Sequence, residues 1–234
     1  MVNLRSRVTR LGVLDIGSNT IHMLIVDAAP GARPDPEAST KSTVRLMQYV
    51  KDDGSIKKSG IEAILTAVDQ CMELAEEYDI TQLLAMATSA IKEAPNSNKI
   101  LRKIEERIGQ SVTVLSGTDE ARLTFLAARR WYGWDAGRLL MLDIGGSSLE
   151  VAMGSDEEPT VALSAAAGAC RITREYLPEG TASVDELEVV RKKVRRILEP
   201  MVDAFPKSKH PAHAVGTSKT FRSLARLAGA VLRQ

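Results

Sequence analysis

The stretches "LDIGSNTIHMLIVD" (residues 14–27) and "LDIGGSSLEVAMG" (residues 142–154) repeat one pattern within a single chain. Each has a hydrophobic run ending in Leu-Asp-Ile, a turn of glycine and hydroxyl residues, and a second hydrophobic run. The two aspartates, Asp15 and Asp143, lie 128 positions apart, which is about the length of one domain and too long for a stacked repeat. The pattern therefore predicts two related halves, each opening with a strand–turn–strand hairpin.

Hydrophobic periodicity predicts the strands and helices that come after each hairpin. In the first half it favours a loop at 31–40, strands at 42–50, 82–88 and 111–117, and helices at 58–78, 96–109 and 119–132. In the second half it favours strands at 160–165 and 212–216, a helix opened by a Ser183–Glu186 capping box and stopped by Pro200, and a final helix. The order predicts an α/β fold of two lobes, residues 1–133 and 134–234.

Composition excludes several classes of function. With 44% hydrophobic and 26% charged residues, the chain has the composition of an ordinary globular protein. A formal net charge of +1 and 4% aromatic residues argue against nucleic acid as a partner. No apolar run is long enough to cross a membrane, and the two cysteines, Cys71 and Cys170, fit buried thiols in a reducing compartment. We therefore expect a cytoplasmic protein with no membrane partner.

The two glycine–hydroxyl turns predict phosphate binding. Short turns of this kind expose backbone N–H groups, and hydroxyl or amide side chains add neutral donors that form a concave anion site. Two such turns facing one another across a cleft could hold successive phosphates of a chain. The predicted phosphate-binding residues are Gly17, Ser18, Asn19 and Thr20 in the first turn, and Gly145, Gly146, Ser147 and Ser148 in the second.

Carboxylates beside such turns predict a bridging cation. A carboxylate and a phosphate repel one another, so their proximity implies a metal ion, for which Mg²⁺ is the natural candidate. We assign Asp143 and Glu150 as its ligands, whereas Asp15 is either a further carboxylate of the site or a residue that orders its own turn. Asp119 and Glu120, in "SGTDEARL", lie where a helix begins and where carboxylates are favoured by the helix dipole.

Six strings occur in the order typical of the exopolyphosphatase and guanosine pentaphosphate phosphohydrolase family, which the chain resembles from Leu11 to Gly229. They are "DIGSNT", "ATSAIKEAPN", "SGTDEARLTFLA", "DIGGSSLEVAMG", "AAGACRIT" and "GTSKT". The resemblance implies two actin-like, ribonuclease H-like lobes around a phosphate-binding cleft. It implies hydrolysis of the terminal phosphate of inorganic polyphosphate, with Glu120 orienting and deprotonating the attacking water. It also places Lys92 beside the phosphates.

The chain departs from the family pattern in three places. Ser147 occupies a glycine position, where its Cβ is expected to obstruct a close backbone approach or a positive φ, at a local cost of about 1–2 kcal/mol. Lys92 replaces an arginine and lacks its bidentate fork. The chain ends soon after "GTSKT", so we expect an incomplete second lobe, with homodimerisation as one way to cover its apolar surface.

Two alternatives stay open at this stage. One is hydrolysis of guanosine pentaphosphate, and the other is a non-catalytic protein that binds polyphosphate or a nucleotide without turnover. His22 lies among apolar neighbours and receives no catalytic role. The basic run at 191–196 is interpreted as a solvated helix face, whereas Lys219 and Arg222 are better candidates for steering an anionic chain.

Overall fold

The computed structural model describes residues 8–29, 35–178, 180–206 and 210–230. Contacts divide the chain into two compact units, Met1–Leu115 and Ser116–Gln234, and each is described by itself. Each unit is built on one mixed sheet with helices packed on it.

The first unit carries a five-stranded sheet. Its elements are β1 (Thr9–Ile16), β2 (Thr20–Ala28), β3 (Pro36–Thr43), a 3-10 turn (Leu46–Tyr49), α1 (Lys58–Glu77), β4 (Gln82–Ala87), α2 (Ser89–Lys92), α3 (Ser97–Ile108) and β5 (Thr113–Val114). The strand order is β3-β2-β1-β4-β5, with β1 antiparallel to β2 and parallel to β4. Because β1 and β4 are parallel, the first glycine turn and the end of β4 lie at the same end of the sheet.

The second unit carries a four-stranded sheet. Its elements are α4 (Gly117–Tyr132), a 3-10 turn (Trp134–Ala136), β6 (Leu139–Ile144), β7 (Leu149–Gly154), β8 (Val161–Ala165), α5 (Ala169–Tyr176), α6 (Val184–Asp203), β9 (His213–Thr217) and α7 (Ser218–Leu227). The strand order is β8-β7-β6-β9, with β6 antiparallel to β7 and parallel to β9. The order repeats β3-β2-β1-β4, which confirms the predicted duplication and the α/β fold.

Strand periodicity decides which face of each sheet is buried. In the first unit, the alternate residues Leu14, Ile16, Ile21 and Met23 pack against the apolar sides of α1 and α3. The second sheet is covered on both faces. Leu139, Met141, Ala152 and Val215 pack with α4 on one face, and Leu149 and Val151 pack with Met201 of α6 on the other.

Strand β3 and the segment after it differ from the prediction. We expected a loop at 31–40 and a strand at 42–50, but β3 spans Pro36–Thr43 and a 3-10 turn comes after it. β3 is an exposed edge strand with few apolar residues, so periodicity does not reveal it. Val44 and Leu46 are buried, yet their N–H groups bond to the first glycine turn and not to a neighbouring strand. Of the predicted loop, residues 31–34 lie outside the described part of the chain.

Several helices also differ from the sequence-based expectation. The short helices α2 and α5 were not predicted. The capping box of Ser183 and Glu186 opens α6 as expected, but the helix continues beyond Pro200 to Asp203. Among the described residues, no helix combines the length and the apolar character needed to cross a membrane.

Helix α4 belongs to the second unit. We expected the boundary between the lobes after residue 133, whereas the contacts divide the chain after Leu115. The physical reason is that Ala121, Phe125 and Ala128 of α4 are buried against the second sheet.

The burial of Phe125 provides a test of this division. Phe125→Ala leaves a cavity beneath α4 and should lower the free energy of unfolding by about 3–5 kcal/mol. Amide hydrogen exchange should show lost protection in β6 and β7, with protection in β1 and β2 retained. Ile64→Ala, which opens a cavity beneath α1, is the matched control and should show the reverse pattern. Equal loss in both sheets for either variant would contradict two separately stabilised units.

Candidate active site

Four polar residues form one row across the second sheet. Strand pairing places Ser164 opposite Glu150, Glu150 opposite Asp143, and Asp143 opposite Thr217. Directly paired residues point to the same face, and this face is the one that packs against α4. At the end of the sheet next to the second glycine turn, the apolar residues beneath α4 are therefore replaced by a hydroxyl–carboxylate–carboxylate–hydroxyl row.

Glu150 is the buried member of the row. Ser164 Oγ donates to Glu150 Oε1 at 2.9 Å, and the side chain of Ser148 also hydrogen-bonds this carboxyl. Burial raises the pKa of Glu150 from its usual 4.5 to about 7, and repulsion from Glu120 and Asp143 adds to the rise. The two serines oppose the rise without cancelling it, so the site strongly favours a compensating positive charge.

Asp143 is held by residues at the end of β9 and the start of α7, on the side away from Glu150. Thr217 Oγ1 donates to Asp143 Oδ2 at 2.6 Å, and Ser218 Oγ donates to the carbonyl of Ile144 at 2.9 Å. Ser218 has a φ of +73°, an uncommon conformation for a residue other than glycine. The start of α7 therefore fixes the end of β6 and one oxygen of the Asp143 carboxylate.

Helix α4 brings a third carboxylate to the row. Gly117, its first residue, lies so close to β8 that a Cβ built on it would be 2.4 Å from the Cβ of Ser164. This contact brings the first turn of α4 to the polar row, and the charge of Glu120 acts on Glu150. The structure therefore brings the predicted residues Glu120, Asp143 and Glu150 together.

Asp119 is engaged in capping α4. Its carboxylate accepts from Ser116 Oγ at 2.5 Å, and its N–H donates to the same hydroxyl at 3.1 Å. The N–H of Ser116 also donates to this carboxylate at 3.3 Å, which completes a capping box, and the hydrogen bond from the Ser116 hydroxyl lowers the pKa of Asp119. Asp119 therefore caps the helix, as expected from the sequence, whereas the charge of the neighbouring Glu120 acts on the polar row.

The second glycine turn is braced by the start of α5. The N–H groups of Gly168, Ala169 and Arg171 donate to carbonyls of the turn at 2.9–3.1 Å. Gly168 lies flush against this backbone, because a Cβ there would be 2.4 Å from the carbonyl carbon of Ser147. Within the described residues, no carbonyl accepts from the N–H groups of residues 146–148. Bracing the carbonyls while leaving the N–H groups available is what an anion-binding turn requires.

Ser147 does not have the positive φ that would strain a residue with a Cβ. The residues other than glycine with positive φ in the described ranges are Arg45, Asp79 and Ser218, so Ser147 needs no left-handed backbone. Its side chain is buried. Gly17 also lacks a positive φ. A glycine suits this position because a Cβ would lie 3.0 Å from the carbonyl oxygen of Thr20.

The first turn is built in the same way within the first unit. The N–H of Gly17 donates to the carbonyl of Thr20 at 3.0 Å, as Gly145 does to Ser148 at 2.9 Å. Residues 44–46 brace the carbonyls of Ser18 and Asn19 at 2.8–3.0 Å. The phosphate-binding roles predicted for this turn, and a cleft shared with the second turn, stay predictions.

The row beside the first turn differs in chemistry. Strand pairing aligns Lys41, His22, Asp15 and Met86. The Asp15 side chain is exposed, yet desolvation by its surroundings raises its pKa, and Lys41 opposes the rise. Burial lowers the pKa of His22, and Lys41 lowers it further. The predicted phosphate contact Lys92 ends α2 in this unit and is exposed.

Several residues of the second site were not identified from the sequence. Gly168 and Thr217 lie within two of the family strings, "AAGACRIT" and "GTSKT", but their contacts depend on the fold. Gly117 likewise lies within "SGTDEARLTFLA", but its tight contact with β8 depends on packing. Ser164 had no local signal, because a cross-strand hydroxyl appears only once the register is known.

The chemistry of the row suits a hard divalent cation. Mg²⁺ is usually held by one or two carboxylates together with waters and substrate phosphates. Asp143 and Glu150 could supply those carboxylates next to the second turn, and the burial that raises the pKa of Glu150 makes its negative charge costly without a compensating cation. Within the described ranges, no three side chains among histidine, cysteine, aspartate and glutamate are arranged so that they could hold a metal ion by themselves, so waters and substrate phosphates would supply the other ligands.

Comparison with known proteins identifies the family. The sequence pattern of the Ppx/GppA phosphatase family matches residues 24–234. The chain belongs to this family. Exopolyphosphatase 1 of Mycobacterium tuberculosis is 48% identical over 222 residues, covering 94% of this chain and 64% of the relative. The chain therefore spans slightly less than two thirds of this relative's length, namely 64%.

Solved structures of the Ppx/GppA family have the same fold. The crystal structure of an exopolyphosphatase from Cytophaga hutchinsonii has a TM-score of 0.84 and 26% identity, covering 94% of this chain and 70% of that one. The PPX-GPPA enzyme of Aquifex aeolicus has a TM-score of 0.75 and 23% identity, covering 96% and 72%. The family resemblance and the fold expected from the sequence are therefore confirmed.

The buried carboxyl of Glu150 predicts a pH-dependent stability. A carboxyl whose pKa is higher in the folded chain binds its proton more tightly when folded, so folding becomes less favourable as pH rises from 4.5 to about 7. In excess chelator, Glu150→Gln should therefore be more stable than the parent at pH 8, by up to about 3 kcal/mol, and equally stable near pH 4. Urea unfolding across this range measures the difference. A gap that does not change with pH would contradict the assignment.

Proposed function

We propose that this protein hydrolyses the terminal phosphoryl group of inorganic polyphosphate and releases orthophosphate. The observation that carries the proposal is the meeting of three carboxylates, Glu120, Asp143 and Glu150, beside a braced glycine turn. Membership of a phosphatase family and 48% identity to a protein named exopolyphosphatase support it.

The second turn would bind the reacting phosphate. Its N–H groups at 146–148 and the turn's polar surroundings offer neutral donors to phosphate oxygens. Asp143 and Glu150 would hold Mg²⁺, which supplies charge neutralisation on the phosphate oxygens when bound. The first turn and Lys92 are proposed to bind other phosphates of the substrate, since lysine contributes a point charge without a fork.

Glu120 is proposed as the general base. Phosphoryl transfer needs an attacking water in line with the breaking P–O bond and an acceptor for its proton. Glu120 lies in the first turn of α4. The tight contact of Gly117 with Ser164 packs this turn against the polar row. Asp119 cannot serve equally well because its carboxylate is engaged with Ser116.

Polyphosphate is favoured over guanosine pentaphosphate by the comparisons, since the relative at 48% identity is named exopolyphosphatase. The low aromatic content, 4% of the chain, agrees with a substrate that has no base to stack. The non-catalytic alternative loses one of its arguments, because Ser147 fits its turn without left-handed strain. A cytoplasmic location and a homodimer stay predictions.

The general-base assignment is tested by Glu120→Gln. The variant keeps the size and hydrogen bonding of the side chain but removes the base, so turnover of polyphosphate should fall by about 10²–10⁴-fold while binding persists. Asp119→Asn is the matched control and should reduce turnover much less, with some loss of helix stability. Phosphate release and polyphosphate affinity are measured side by side. Parental turnover in Glu120→Gln would refute the base, and binding without turnover in the parent would refute the enzyme.

The hydroxyl of Thr217 gives a test of the proposed cation site that does not depend on turnover. Thr217→Val removes the hydrogen bond to Asp143 Oδ2 and should weaken Mg²⁺ binding by about 10–100-fold, whereas Thr217→Ser should retain it. Titration calorimetry with Mg²⁺ alone measures the affinity. Thr160→Val is the control, because that hydroxyl bonds the carbonyl of Met153 at the other end of β7. Unchanged affinity in Thr217→Val would contradict the site.

A further inference from the structure

Arg45 has an unusual backbone conformation for a side chain of its size. Its φ is 53° and its ψ is 57°, in the left-handed region where residues other than glycine, asparagine and aspartate are uncommon. Such a conformation persists only where the surrounding structure over-determines it, and it is often associated with function. Arg45 is also exposed to solvent.

The first glycine turn holds Arg45 in this conformation. The N–H groups of Val44 and Arg45 both donate to the carbonyl of Asn19, at 2.9 and 3.0 Å, and that of Leu46 donates to Ser18 at 2.8 Å. Val44 and Leu46 are buried on either side. The chain is therefore anchored before and after Arg45, which is left exposed immediately beside the turn.

The second unit contains an arginine in the equivalent bracing segment, and its surroundings differ. Arg171 comes after the second turn, and its Nε donates to the carbonyl of Ser147 at 2.9 Å. Its guanidinium also lies 3.9 Å from the carboxylate of Glu175. The Arg171 side chain therefore stabilises its turn from within the protein.

Arg45 differs from Arg171 in that no carboxylate among the described residues pairs with its guanidinium. The three other described arginines of the first unit are Arg10, Arg102 and Arg107, and each forms an ion pair with a carboxylate. Arg45 forms none with the residues that the structure describes. An unpaired guanidinium beside a turn with available N–H groups has the donors that a phosphate needs, in a fork that suits two of its oxygens.

A second cation lies on the edge strand that precedes Arg45. Lys41 of β3 is exposed and pairs in register with His22, close enough to act on Asp15 by its charge. β3 is the outermost strand of its sheet, so Lys41 and Arg45 follow one another along an open edge that leads to the turn. The corresponding row of the second unit carries Ser164 and Glu150 at the positions of Lys41 and His22 and is negative.

We propose that Arg45, assisted by Lys41, forms an anion site on the outer side of the first turn that binds a non-reacting phosphate group of the polyphosphate chain. The site needs no metal ion, in contrast to the carboxylate row of the second unit. The inference rests on the proposed function, because polyphosphate is the ligand. A residue that binds a remote phosphate equally in the ground state and in the transition state contributes to substrate affinity and leaves the chemical step unchanged.

The experiment compares Arg45→Gly with Asp79→Gly in the full chain. Both remove a side chain from a positive-φ position of the first unit, so both should keep or raise the melting temperature. Asp79 lies at the end of α1, next to the start of β4 and away from the turn. Binding of long-chain polyphosphate is measured in excess chelator, and phosphate release is measured with Mg²⁺.

Arg45→Gly should weaken binding in chelator about tenfold and raise KM by a similar factor with kcat unchanged, whereas Asp79→Gly should alter neither. Arg45→Lys should lie between the parent and Arg45→Gly. If the parent neither binds polyphosphate nor releases phosphate with Mg²⁺, the proposed function fails and the inference with it. If the parent releases phosphate with Mg²⁺ but does not bind in chelator, only the inference is overturned, because the site is proposed to need no metal ion. If the parent binds and Arg45→Gly binds equally well, or if kcat falls with KM unchanged, only the inference is overturned. Equal loss in Asp79→Gly would also overturn it, because the effect would come from the backbone.

Discussion

The second unit is organised around two carboxylates that an antiparallel strand pair holds directly opposite one another. Glu150 and Asp143 would repel each other in any folded state, and burial of Glu150 makes its charge still less favourable. The surrounding structure offsets this cost with donors. Ser148 and Ser164 bond Glu150, and Thr217 bonds Asp143, so each acid is oriented before any cation or phosphate arrives.

The sequence predicted the parts of this arrangement that depend on short-range periodicity. The repeated Leu-Asp-Ile strings identified both hairpins, and the position of Asp143 and Glu150 beside the second glycine turn singled them out as candidate metal ligands. The order of strings located α4 and its acidic first turn. The contributions of Ser164 and Thr217 were not predictable, because they arise from register between strands that are far apart in sequence. Strand β3 was misplaced because an exposed edge strand lacks the apolar alternation on which such predictions depend.

The duplicated scaffold has diverged at equivalent positions. Both units brace the carbonyls of a glycine turn with the N–H groups of a later segment, and both pair a polar row across their strands. The first row has Lys41 and His22 where the second has Ser164 and Glu150. One backbone solution therefore has different electrostatic character in its two copies, since Lys41 balances Asp15 in the first row and the second row carries two carboxylates. The side chains, not the fold, determine which ligand charge each copy favours.

The hairpin of β6 and β7 also constrains how this protein can change over evolutionary time. Adjacent residues of a strand point to opposite faces, so one extra or missing residue in the strand would send Glu150 to the side where Leu149 and Val151 pack against α6. Insertions and deletions here should be far more damaging than substitutions. The turn can accept a serine at residue 147 without strain, but the number of residues between Asp143 and Glu150 is fixed by the pleat of the sheet.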